Sequence, residues 1–402
     1  MAKRILLYGA TGFSGRLIAA EAKRRTAADG AGYELVLGAR DRVALADMAR
    51  DGNFGYVAFA LDDQRRVQSV LRTFDVVINA AGPFAGTGPR LAKAAIASGC
   101  HYVDINGEID VYKALDDLGL IAKDRGVSLV SGAGFTATAS DVLVDLALSY
   151  LASRGETSVG AIRIAISAIH QLSRGSLATM LRSVREQVTI VQRGAVTHVP
   201  VGTLERAFDF GVPRGSAAPP ARPGPPTAPD HEPPIRIASA VNAVDTLTAL
   251  RTATRRGVSG RIETYVDMPS YVRFGYQAGA FSAVVLQLPW VQRIGQLQVA
   301  QLPQGPDAEE RRANRHTVVL QIETSMRELR VDWRLETPDS YEFTARSALA
   351  VATGAGLESS HGWRTPSDVL ALALPADDQR TSPRWIAASD PFDDCTLEAR
   401  RG

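Results

Sequence analysis

A glycine-spaced turn close to the start of the chain constrains the fold most. The apolar run Arg4 to Tyr8 leads directly into the residues GATGFSG, and Phe13 to Lys23 then has the composition of a helix. In a strand–turn–helix unit with G-x-x-G-x-x-G spacing, the glycines permit a tight turn, close approach to a pyrophosphate, and close packing of helix on strand. Amide hydrogens at the helix start attract phosphate. Six residues are therefore predicted to bind a dinucleotide: Gly9, Thr11, Gly12, Phe13, Ser14 and Gly15. A glycine-rich turn without a ligand is the alternative.

Strand-like and helix-like segments alternate up to residue 153. The strands are predicted at Arg4 to Tyr8, Glu34 to Leu37, Tyr56 to Ala60, Val76 to Ala80, His101 to Asp104 and Ser128 to Val130. The helices are predicted at Phe13 to Lys23, Val43 to Arg50, Gln64 to Arg72, Pro89 to Ala97 and Val111 to Arg125. Short, continuously apolar strands that alternate with helices indicate a parallel sheet covered on both faces. Residues 1–153 are thus predicted to be a doubly wound Rossmann domain.

The pattern changes after residue 153, and a chain of 402 residues is long enough for a second domain. Predicted strands are Ile162 to Ser167, Ile235 to Ala240, Arg261 to Val266, Thr317 to Thr324 and Leu329 to Leu335; predicted helices are Ser176 to Val191, Tyr271 to Val299 and Tyr341 to Ala352. The proline-rich stretch from Pro213 to Pro234 indicates a loop or connector. We expect an α+β domain at 154–338, and a C-terminal helix and tail at 339–402 that return to the Rossmann domain.

Composition excludes several classes of function. The chain has 45 basic and 43 acidic residues and a net charge of +2, which argues against a nucleic-acid surface. Its two cysteines suggest no disulfide framework, and with six scattered histidines they have no metal-ligand spacing. We find neither a signal peptide nor a membrane-spanning apolar run. We therefore expect a cytoplasmic protein with a small-molecule substrate, no metal and no nucleic-acid partner.

The end of the second strand indicates which dinucleotide is bound. An acidic residue at this position would hold the ribose 2′-hydroxyl of NAD, whereas an arginine suits the 2′-phosphate of NADP. Here the strand ends in LGAR, so Arg40 stands where the acid would be. A guanidinium matches a phosphate well, and NADP is the predicted cofactor. Asp41 is adjacent, which keeps NAD open, and Arg40 as an ordinary surface residue is the alternative.

Two further loops are predicted to line the same site. Asp62 follows the third strand, where its carboxylate can accept from the adenine amino group or cap the next helix. The fourth strand runs into small residues at the carboxyl edge of the sheet, where ligands of such sheets bind. Those cofactor-binding candidates are Ala81, Gly82, Pro83 and Phe84.

Three motifs together resemble the saccharopine dehydrogenase-like oxidoreductases and, within them, the trans-acting enoyl reductases. They are GATGFSGR from Gly9, VVINAAGPF from Val76 and GCHYVDINGE from Gly99. Weaker similarity continues in Ser173 to Ser176, Leu302 to Pro306, Tyr341 to Ala345 and Trp363 to Pro366. The resemblance implies NADPH-dependent hydride transfer. It also implies a second domain on a mixed sheet that closes over the nicotinamide and often mediates dimerisation.

One segment departs from the family pattern. Residues 134–141 read GFTATASD, where the family usually has an acid, a serine and a proline that this chain lacks. This segment is expected to face the nicotinamide ring. The substitutions leave open both the substrate and whether catalysis is altered or lost. The residues from Leu374 to Gly402 match nothing in the family.

Few side chains are candidates for chemistry, because hydride transfer needs mainly orientation and a donor for developing negative charge. His170 is a candidate proton source and Ser176 a candidate donor at a helix start. Tyr102 is a further candidate donor, with packing as its alternative. Asp104 and Glu108 are predicted to contact the cofactor ribose or to serve as a helix-start acid, and direct catalysis is the weaker interpretation.

The leading hypothesis is an NADPH-dependent reductase of an activated double bond in a hydrophobic or polyketide-like metabolite. An apolar segment and three tyrosines could line its pocket or simply pack in a core: Phe281 to Leu288, Tyr265, Tyr271 and Tyr276. An imine or ketone reductase that depends on Asp104 or Glu108 is the enzymatic alternative. A non-catalytic NADP-binding regulator is the alternative from another class. A homodimer is also expected.

Overall fold

The computed structural model describes most of the chain as two compact units. The described residues are 2–29, 32–169, 172–177, 187–211, 234–277, 288, 291, 293, 303–354, 356–370, 391–392 and 394–400. The first unit comprises Met1–Asp141 and Tyr341–Leu372, and the second comprises Val142–Ser340 and Ala373–Gly402. These compact units divide the chain at 141 and 340. The predicted domain boundaries at 153 and 338 stay predictions.

The first unit is built on a parallel sheet of seven strands. The strands are β1 Lys3–Tyr8, β2 Tyr33–Ala39, β3 Gly55–Ala58, β4 Val76–Asn79, β5 His101–Asp104, β6 Ser128–Val130 and β15 Gly362–Arg364. Their order is β15-β6-β5-β4-β1-β2-β3, and every pairing is parallel. Since β1 lies between β2 and β4, the order reverses there and leaves a crevice at the carboxyl ends of these strands. The predicted doubly wound Rossmann domain is confirmed.

Helices follow the strands of this sheet. They are α1 Phe13–Asp29, α2 Arg42–Gly52, α3 Gln64–Leu71, α4 Phe84–Ser98, α5 Ile109–Asp116, α6 Gly119–Asp124, α11 Ser340–Thr353, α12 Gly356–Ser359 and α13 Pro366–Leu370. The single helix predicted from Val111 to Arg125 is wrong, because α5 ends at Asp116 and a second helix, α6, begins at Gly119. A Cβ on Gly119 would lie 2.9 Å from the Cβ of Trp363, so a glycine is needed where β15 passes.

The core of the first unit joins residues distant in sequence. Ile5 and Leu7 of β1, Ile78 of β4, and Leu349 and Val351 of α11 belong to one cluster of buried side chains. The C-terminal helix therefore completes the core of a sheet that begins at residue 3. Burial of this apolar surface is the main stabilising contribution.

Helix α7, Phe135–Ser153, begins in the first unit and ends in the second. The sequence prediction missed it. Of the described helices, only α7 is long and apolar enough to cross a membrane, and 78% of the window that passes this test is buried inside the protein. A mostly buried apolar helix is also what a protein core contains, so α7 is weak evidence for a membrane span.

The second unit is built on a mixed sheet of nine strands. They are β7 Val159–Ile166, β8 Gln187–Gln192, β9 Ala195–Pro200, β10 Glu205–Asp209, β11 Ile235–Ala240, β12 Arg261–Asp267, β13 Arg315–Thr324, β14 Leu329–Pro338 and β16 Thr396–Arg400. The main path is β10-β11-β12-β7-β13-β14-β16, with the β8–β9 hairpin joined to β12. Strands β7 and β12 are parallel, and the neighbouring pairings are antiparallel. The mixed sheet that the family resemblance implied is confirmed. Strands β13 and β14 form an antiparallel pair.

Helices of the second unit are α8 Val244–Arg255, α9 Ser270–Gln277 and α10 Ala308–Ala313. The helix predicted from Ser176 to Val191 is helical at Ser176 and Leu177 but wrong at its C-terminal end, because Gln187–Gln192 forms β8. Residues 178–186 lie outside the described residues. Strand β8 pairs with β9 through a turn at Arg193 and Gly194, whose φ angles are 53° and 76°. Two successive positive φ angles suit the twist of a tight hairpin. Most of the predicted helix from Tyr271 to Val299 lies outside the described residues. The same is true of residues 212–233, which include most of the proline-rich stretch.

The C-terminal tail ends in the second sheet. Strand β16 pairs with β14, with Leu397 opposite Leu335. Leu397 is buried, and Arg400 donates to the backbone oxygen of Asp209 at 3.0 Å. The sequence analysis predicted that this tail returns to the Rossmann domain. For Thr396–Arg400 that prediction is wrong, because this strand pairs in the second sheet. An edge strand gains paired backbone groups on β14. The segment Tyr341–Leu372, which carries α11, α12, β15 and α13, belongs to the first unit.

Candidate functional site

The turn between β1 and α1 is tight enough to require glycine at two positions. Gly9 has a φ of +89°, and a Cβ on it would lie 2.6 Å from the amide nitrogen of Ala81. A Cβ on Gly15 would lie 2.2 Å from the carbonyl oxygen of Gly9. By contrast, a Cβ on Gly12 would meet only Gly9 O, at 3.2 Å, and Gly12 is exposed. The turn is therefore closed towards the sheet and open on the side of Gly12.

A cavity of about 540 Å³ opens at this turn. Its walls come from the carboxyl ends of β1, β2 and β4, and they are Tyr8, Gly9, Thr11, Gly12, Ala39, Arg40, Asp41, Ala80, Ala81 and Gly82. Six of the predicted cofactor residues are thus brought together: Gly9, Thr11, Gly12, Arg40, Ala81 and Gly82. This is the crevice at the strand-order reversal, where sheets of this class bind ligands.

The other predicted residues of these two loops lie beside the cavity and do not line it. Ser14 and Gly15 are in the first turn of α1, where amide hydrogens have no acceptor within the helix. The ring of Phe13 packs edge-on against Tyr341, with centroids 5.0 Å apart. Pro83 and Phe84 follow Gly82 where α4 begins.

Arg40 and Asp41 differ in what they contact. The Asp41 carboxylate accepts from the amides of Val43 at 3.0 Å and Ala44 at 3.1 Å, and so caps α2. Arg40 is exposed, and within the described part of the chain no hydrogen bond or ion pair engages its guanidinium. Burial raises the pKa of Tyr8, and the nearby charge of Arg40 offsets part of that rise. The positive charge of Arg40 therefore acts on a residue of the cavity wall. Asp41, the acid that could hold a ribose hydroxyl, is thus engaged by the amides at the start of α2. Arg40, the cation that suits a phosphate, is available.

Asp62 is not the cap of α3. That role belongs to Asp63, which accepts from the amide of Arg66 at 3.1 Å. Among the described residues, Asp62 accepts only from the adjacent Asp63 amide, also at 3.1 Å. The alternative interpretation of Asp62 as a helix cap is therefore wrong. Asp62 is exposed, and its contact with adenine stays a prediction.

Asp104 and Tyr102 are both fully buried. The Tyr102 hydroxyl donates to Asp104 Oδ2 at 2.9 Å, and Asp104 Oδ1 accepts from Asn106 N, Ser131 Oγ and Gly132 N at 2.9–3.0 Å. Burial raises the pKa of Tyr102 well above its usual value and that of Asp104 to about 6. Both side chains are enclosed by protein, and the proposals of Tyr102 as a catalytic donor and Asp104 as a cofactor contact stay predictions.

Glu108 bridges two loops. It immediately precedes α5, and its Oε1 accepts from the amide of Phe84 at 3.1 Å. Its own amide donates to Asn106 Oδ1 at 2.7 Å. Sequence reasoning missed the roles of Asn106 and of Asn79, which is fully buried. Both lie within the quoted motifs, and an asparagine just where a strand ends is the signal that could have revealed them.

In the second unit, two segments of weak family resemblance come together. The amide of Arg174 donates to the carbonyl of Gln304 at 3.2 Å. Ser173 Oγ accepts from the amide of Ser176 at 3.2 Å, and the two hydroxyls are 3.1 Å apart. Ser176 therefore lies at the start of a helical turn, as predicted. His170 lies outside the described residues.

The tyrosines predicted to line a substrate pocket belong to the core of this unit where they are described. Tyr265 is buried and donates to Glu263 at 2.9 Å, and Tyr276 donates to the carbonyl of Ala240 at 2.9 Å. Both pack against the same buried cluster as Phe208. The packing alternative is correct for them. The side chain of Tyr271 and residues 281–287 lie outside the described part.

Comparison with known proteins finds similarity over part of the chain. Residues 5–130 match the family model described as the saccharopine dehydrogenase NADP binding domain. A lipid droplet localized protein of Caenorhabditis elegans is 27% identical over 151 residues, which are 35% of this chain and 35% of that protein. A trans-acting enoyl reductase of Mycobacterium ulcerans is 26% identical over 189 residues, which are 45% of this chain and 44% of the relative. The chain thus matches less than half the length of these relatives.

A solved structure is similar over nearly the whole chain. Saccharopine dehydrogenase (L-Glu forming) of Saccharomyces cerevisiae aligns with a TM-score of 0.51, covering 91% of this chain and 95% of that one. Sequence identity is 12%, so the likeness establishes the shared fold.

Proposed function

Because residues 5–130 match the family model of the saccharopine dehydrogenase NADP binding domain, we propose that this protein is an NADPH-dependent reductase. It transfers a hydride to an activated carbon–carbon double bond, of enoyl or enone type, in a hydrophobic or polyketide-like metabolite. The observation that carries the proposal is the pair Arg40 and Asp41. The guanidinium faces the cavity without a partner in the described residues, while the carboxylate is consumed in capping α2.

The residues of the first unit fit the cofactor. The turn is open on the side of Gly12, where no side chain would keep phosphates from the amides of the turn and of the first turn of α1. Arg40 would hold the 2′-phosphate. When bound, the dinucleotide supplies hydride from its nicotinamide ring. The chain contributes orientation, and a well-oriented encounter can account for about 7–11 kcal/mol of a reaction barrier.

Reduction of a double bond conjugated to a carbonyl places negative charge on the carbonyl oxygen, and a hydrogen-bond donor stabilises that charge. We assign this role to the hydroxyl of Ser176, with His170 as the proton source. Ser173 fixes the Ser176 hydroxyl at 3.1 Å, and a preorganised donor loses little entropy during the reaction.

Reduction of an imine is the second candidate, and the geometry disfavours it. An iminium substrate requires an acidic partner, and the sequence offers Asp104 or Glu108. Asp104 is fully buried and accepts four hydrogen bonds, and Glu108 is engaged by the amide of Phe84. The name of the Mycobacterium ulcerans relative supports the double-bond substrate. A cytoplasmic location, a role in secondary metabolism and a homodimer are further proposals from the sequence.

The test is NADPH consumption over a panel of enoyl thioesters, enones, ketones and imines. We expect turnover with the conjugated alkenes alone. Ser176→Ala should lower kcat by about a hundredfold, since loss of one oxyanion donor has an effect of that order. Ser158→Ala is the matched control, because that hydroxyl contacts only Ser325, at 3.0 Å, on the exposed surface.

Turnover of imines or ketones in place of alkenes would overturn the substrate class. Tight NADPH binding without consumption across the whole panel would favour the non-catalytic regulator. An unchanged kcat in Ser176→Ala would remove that residue from the reaction.

A further inference from the structure

Asp104 is a buried carboxylate without a cationic partner among the groups that it contacts. Its four hydrogen-bond donors are the Tyr102 hydroxyl, the Ser131 hydroxyl and the amides of Asn106 and Gly132. All four are neutral. A fully buried charge held only by neutral donors is expensive to maintain, so its presence at the carboxyl edge of β5 calls for a reason beyond packing.

One chain of hydrogen bonds runs from Asp104 to the cavity wall. Tyr102 donates to Asp104 at 2.9 Å and accepts from Asn79 Nδ2 at 3.1 Å. Asn79 Oδ1 then accepts from the amide of Ala81 at 3.1 Å. Thr87 holds the other side of the same residue, by donating to the Ala81 carbonyl at 2.6 Å. The backbone of Ala81 lies where a Cβ of Gly9 would be, so the chain ends against the phosphate-binding turn.

A second chain runs from Asp104 to the start of α4. The Asn106 amide donates to Asp104 at 3.0 Å, and Asn106 Oδ1 accepts from the Glu108 amide at 2.7 Å. Glu108 Oε1 accepts from the amide of Phe84 at 3.1 Å. The two chains therefore hold both ends of residues 79–84, the segment that carries Ala81 and Gly82 of the cavity.

We propose that Asp104 is a positioning residue for NADP: its negative charge, acting through these two chains, orders residues 79–84 and so sets cofactor affinity. The inference rests on the proposed NADP site. In this proposal Asp104, which is fully buried, acts on the cofactor through these residues and not by direct contact.

The charge matters because it fixes the direction of every hydrogen bond in the first chain. An ionised Asp104 can only accept, so Tyr102 must donate to it and must accept from the Asn79 amino group. That orientation turns Asn79 Oδ1 towards the Ala81 amide. A proton on Asp104 Oδ2 would oppose the Tyr102 hydroxyl and disturb this order. The other titratable groups of the network are the Tyr102 phenol and the Glu108 carboxylate, and Asn79, Thr87, Ser131 and Gly132 contribute neutral groups from β4, α4 and the end of β6.

The test is the affinity for NADP⁺ between about pH 5 and about pH 8, which brackets the Asp104 pKa of about 6. Affinity should be constant above this pKa and fall about tenfold per pH unit below it, because the competent form is ionised. Asp104→Asn should bind more weakly at pH 8 and lose this dependence. The 2′-phosphate also titrates near pH 6, so the wild type and the variant are compared in the same buffers.

Two further variants sharpen the test. Tyr102→Phe removes a hydrogen bond that lowers the pKa of Asp104, so the loss of affinity should begin at a higher pH than in the wild type. Asp75→Asn is the control of matched charge change, because that exposed carboxylate contacts the Arg4 amide before β4 begins. It should leave both affinity and its pH dependence unchanged.

A purely structural role for Asp104 would move stability and affinity together, and we expect them to diverge. Because the folded-state pKa is raised from 3.8 to about 6, the stability that Asp104 contributes is present below its unfolded pKa and is lost as pH rises through about 6. Cofactor affinity rises over the same interval. Equal pH profiles in wild type and Asp104→Asn, or an unshifted midpoint in Tyr102→Phe, would overturn the inference. Failure of the wild type to bind NADP⁺ at any pH would instead overturn the NADP site itself.

Discussion

The two units keep buried and partly buried carboxylates in different surroundings. In the first unit, Asp104 is held by four neutral donors. In the second unit, Arg163 of β7 contacts Glu263 of β12 at 3.2 Å and Glu323 of β13 at 2.7 Å, and Arg206 contacts Glu323 at 2.8 Å. One sheet edge therefore carries an uncompensated charge, and the other sheet carries a paired network.

The difference appears in how readily each group is protonated. Burial raises the pKa of Asp104 to about 6, and hydrogen bonds offset only part of that rise. Burial also raises the pKa of Glu323, but the Arg163 and Arg206 guanidiniums outweigh it, and the net change is downward. Glu323 thus stays charged where Asp104 changes state. The first arrangement can respond to a proton or a ligand, whereas the second holds strands together.

The largest effect is expected where the first unit brings backbone closest to backbone. Gly9→Ala places a Cβ 2.6 Å from the Ala81 amide at a φ of +89°. Left-handed backbone costs a residue with a side chain about 1–2 kcal/mol, and overpacking costs about 1–3 kcal/mol. We expect a loss of about 2–5 kcal/mol in the free energy of unfolding, together with loss of NADPH binding. Urea denaturation and calorimetry measure both.

Gly32→Ala is the control for that substitution, since a Cβ there has no atom within 4 Å. It should leave stability and binding close to wild type. Normal NADPH affinity in Gly9→Ala would show that the close approach to Ala81 does not shape the site.

A somewhat smaller effect is expected when the paired network of the second unit is broken. Arg163→Met leaves the carboxylates of Glu263 and Glu323 without their shared cation. Removal of one partner from a buried pair costs about 3–5 kcal/mol, and with Arg206 and Arg261 still contacting these carboxylates we expect about 2–4 kcal/mol. NADPH affinity of the folded protein should not change.

Arg163→Met with Glu323→Gln should recover part of the lost stability in the same denaturation measurement, because one unpaired charge is gone. If Arg163→Met lowered NADPH affinity as Asp104→Asn is expected to, the contrast between the two kinds of carboxylate would fail.

The smallest effect distinguishes two adjacent aspartates at the start of α3. Asp63→Ala removes the helix cap and should cost about 1 kcal/mol. Asp62→Ala should change stability by less than about 0.5 kcal/mol, as is usual for an exposed residue, yet weaken NADPH binding if it contacts adenine. Thermal unfolding and a binding titration separate the two effects, and a larger loss of stability in Asp62→Ala would contradict the assignment of the cap.

The sequence predicted the first sheet well because buried parallel strands are short apolar runs with helices between them. His101–Asp104 and Ser128–Val130 have the predicted bounds. Most of the cavity was also predictable, since glycines and Arg40 follow strands whose carboxyl ends must meet at one edge of the sheet. The direction in which each side chain points at that edge was not predictable. Asp104 ends its strand and Arg40 directly follows its own, but only tertiary packing places one in the interior and the other at the cavity.

The second sheet was harder to predict because its strands pair at long range and in both directions. Residues 187–191 were predicted as the end of a helix but belong to β8, and Arg193 and Gly194 supply the hairpin turn that follows it. The strand Glu205–Asp209 was missed because its polar alternation has meaning only beside β11. Likewise, no local signal shows that Arg163 will lie between Glu263 and Glu323.

Calorimetric titration of the wild-type protein with NADPH and NADH tests the central claim most directly. The account predicts saturable binding of both with NADPH the tighter, and a loss of about tenfold to a hundredfold in NADPH affinity for Arg40→Asp, since a hydrogen bond between charged groups contributes about 1.5–3 kcal/mol. Arg72→Asp, the same charge change at the far end of α3, should have little effect. Equal affinity for the two nucleotides would contradict the role of Arg40, and no binding of either would contradict the cofactor site.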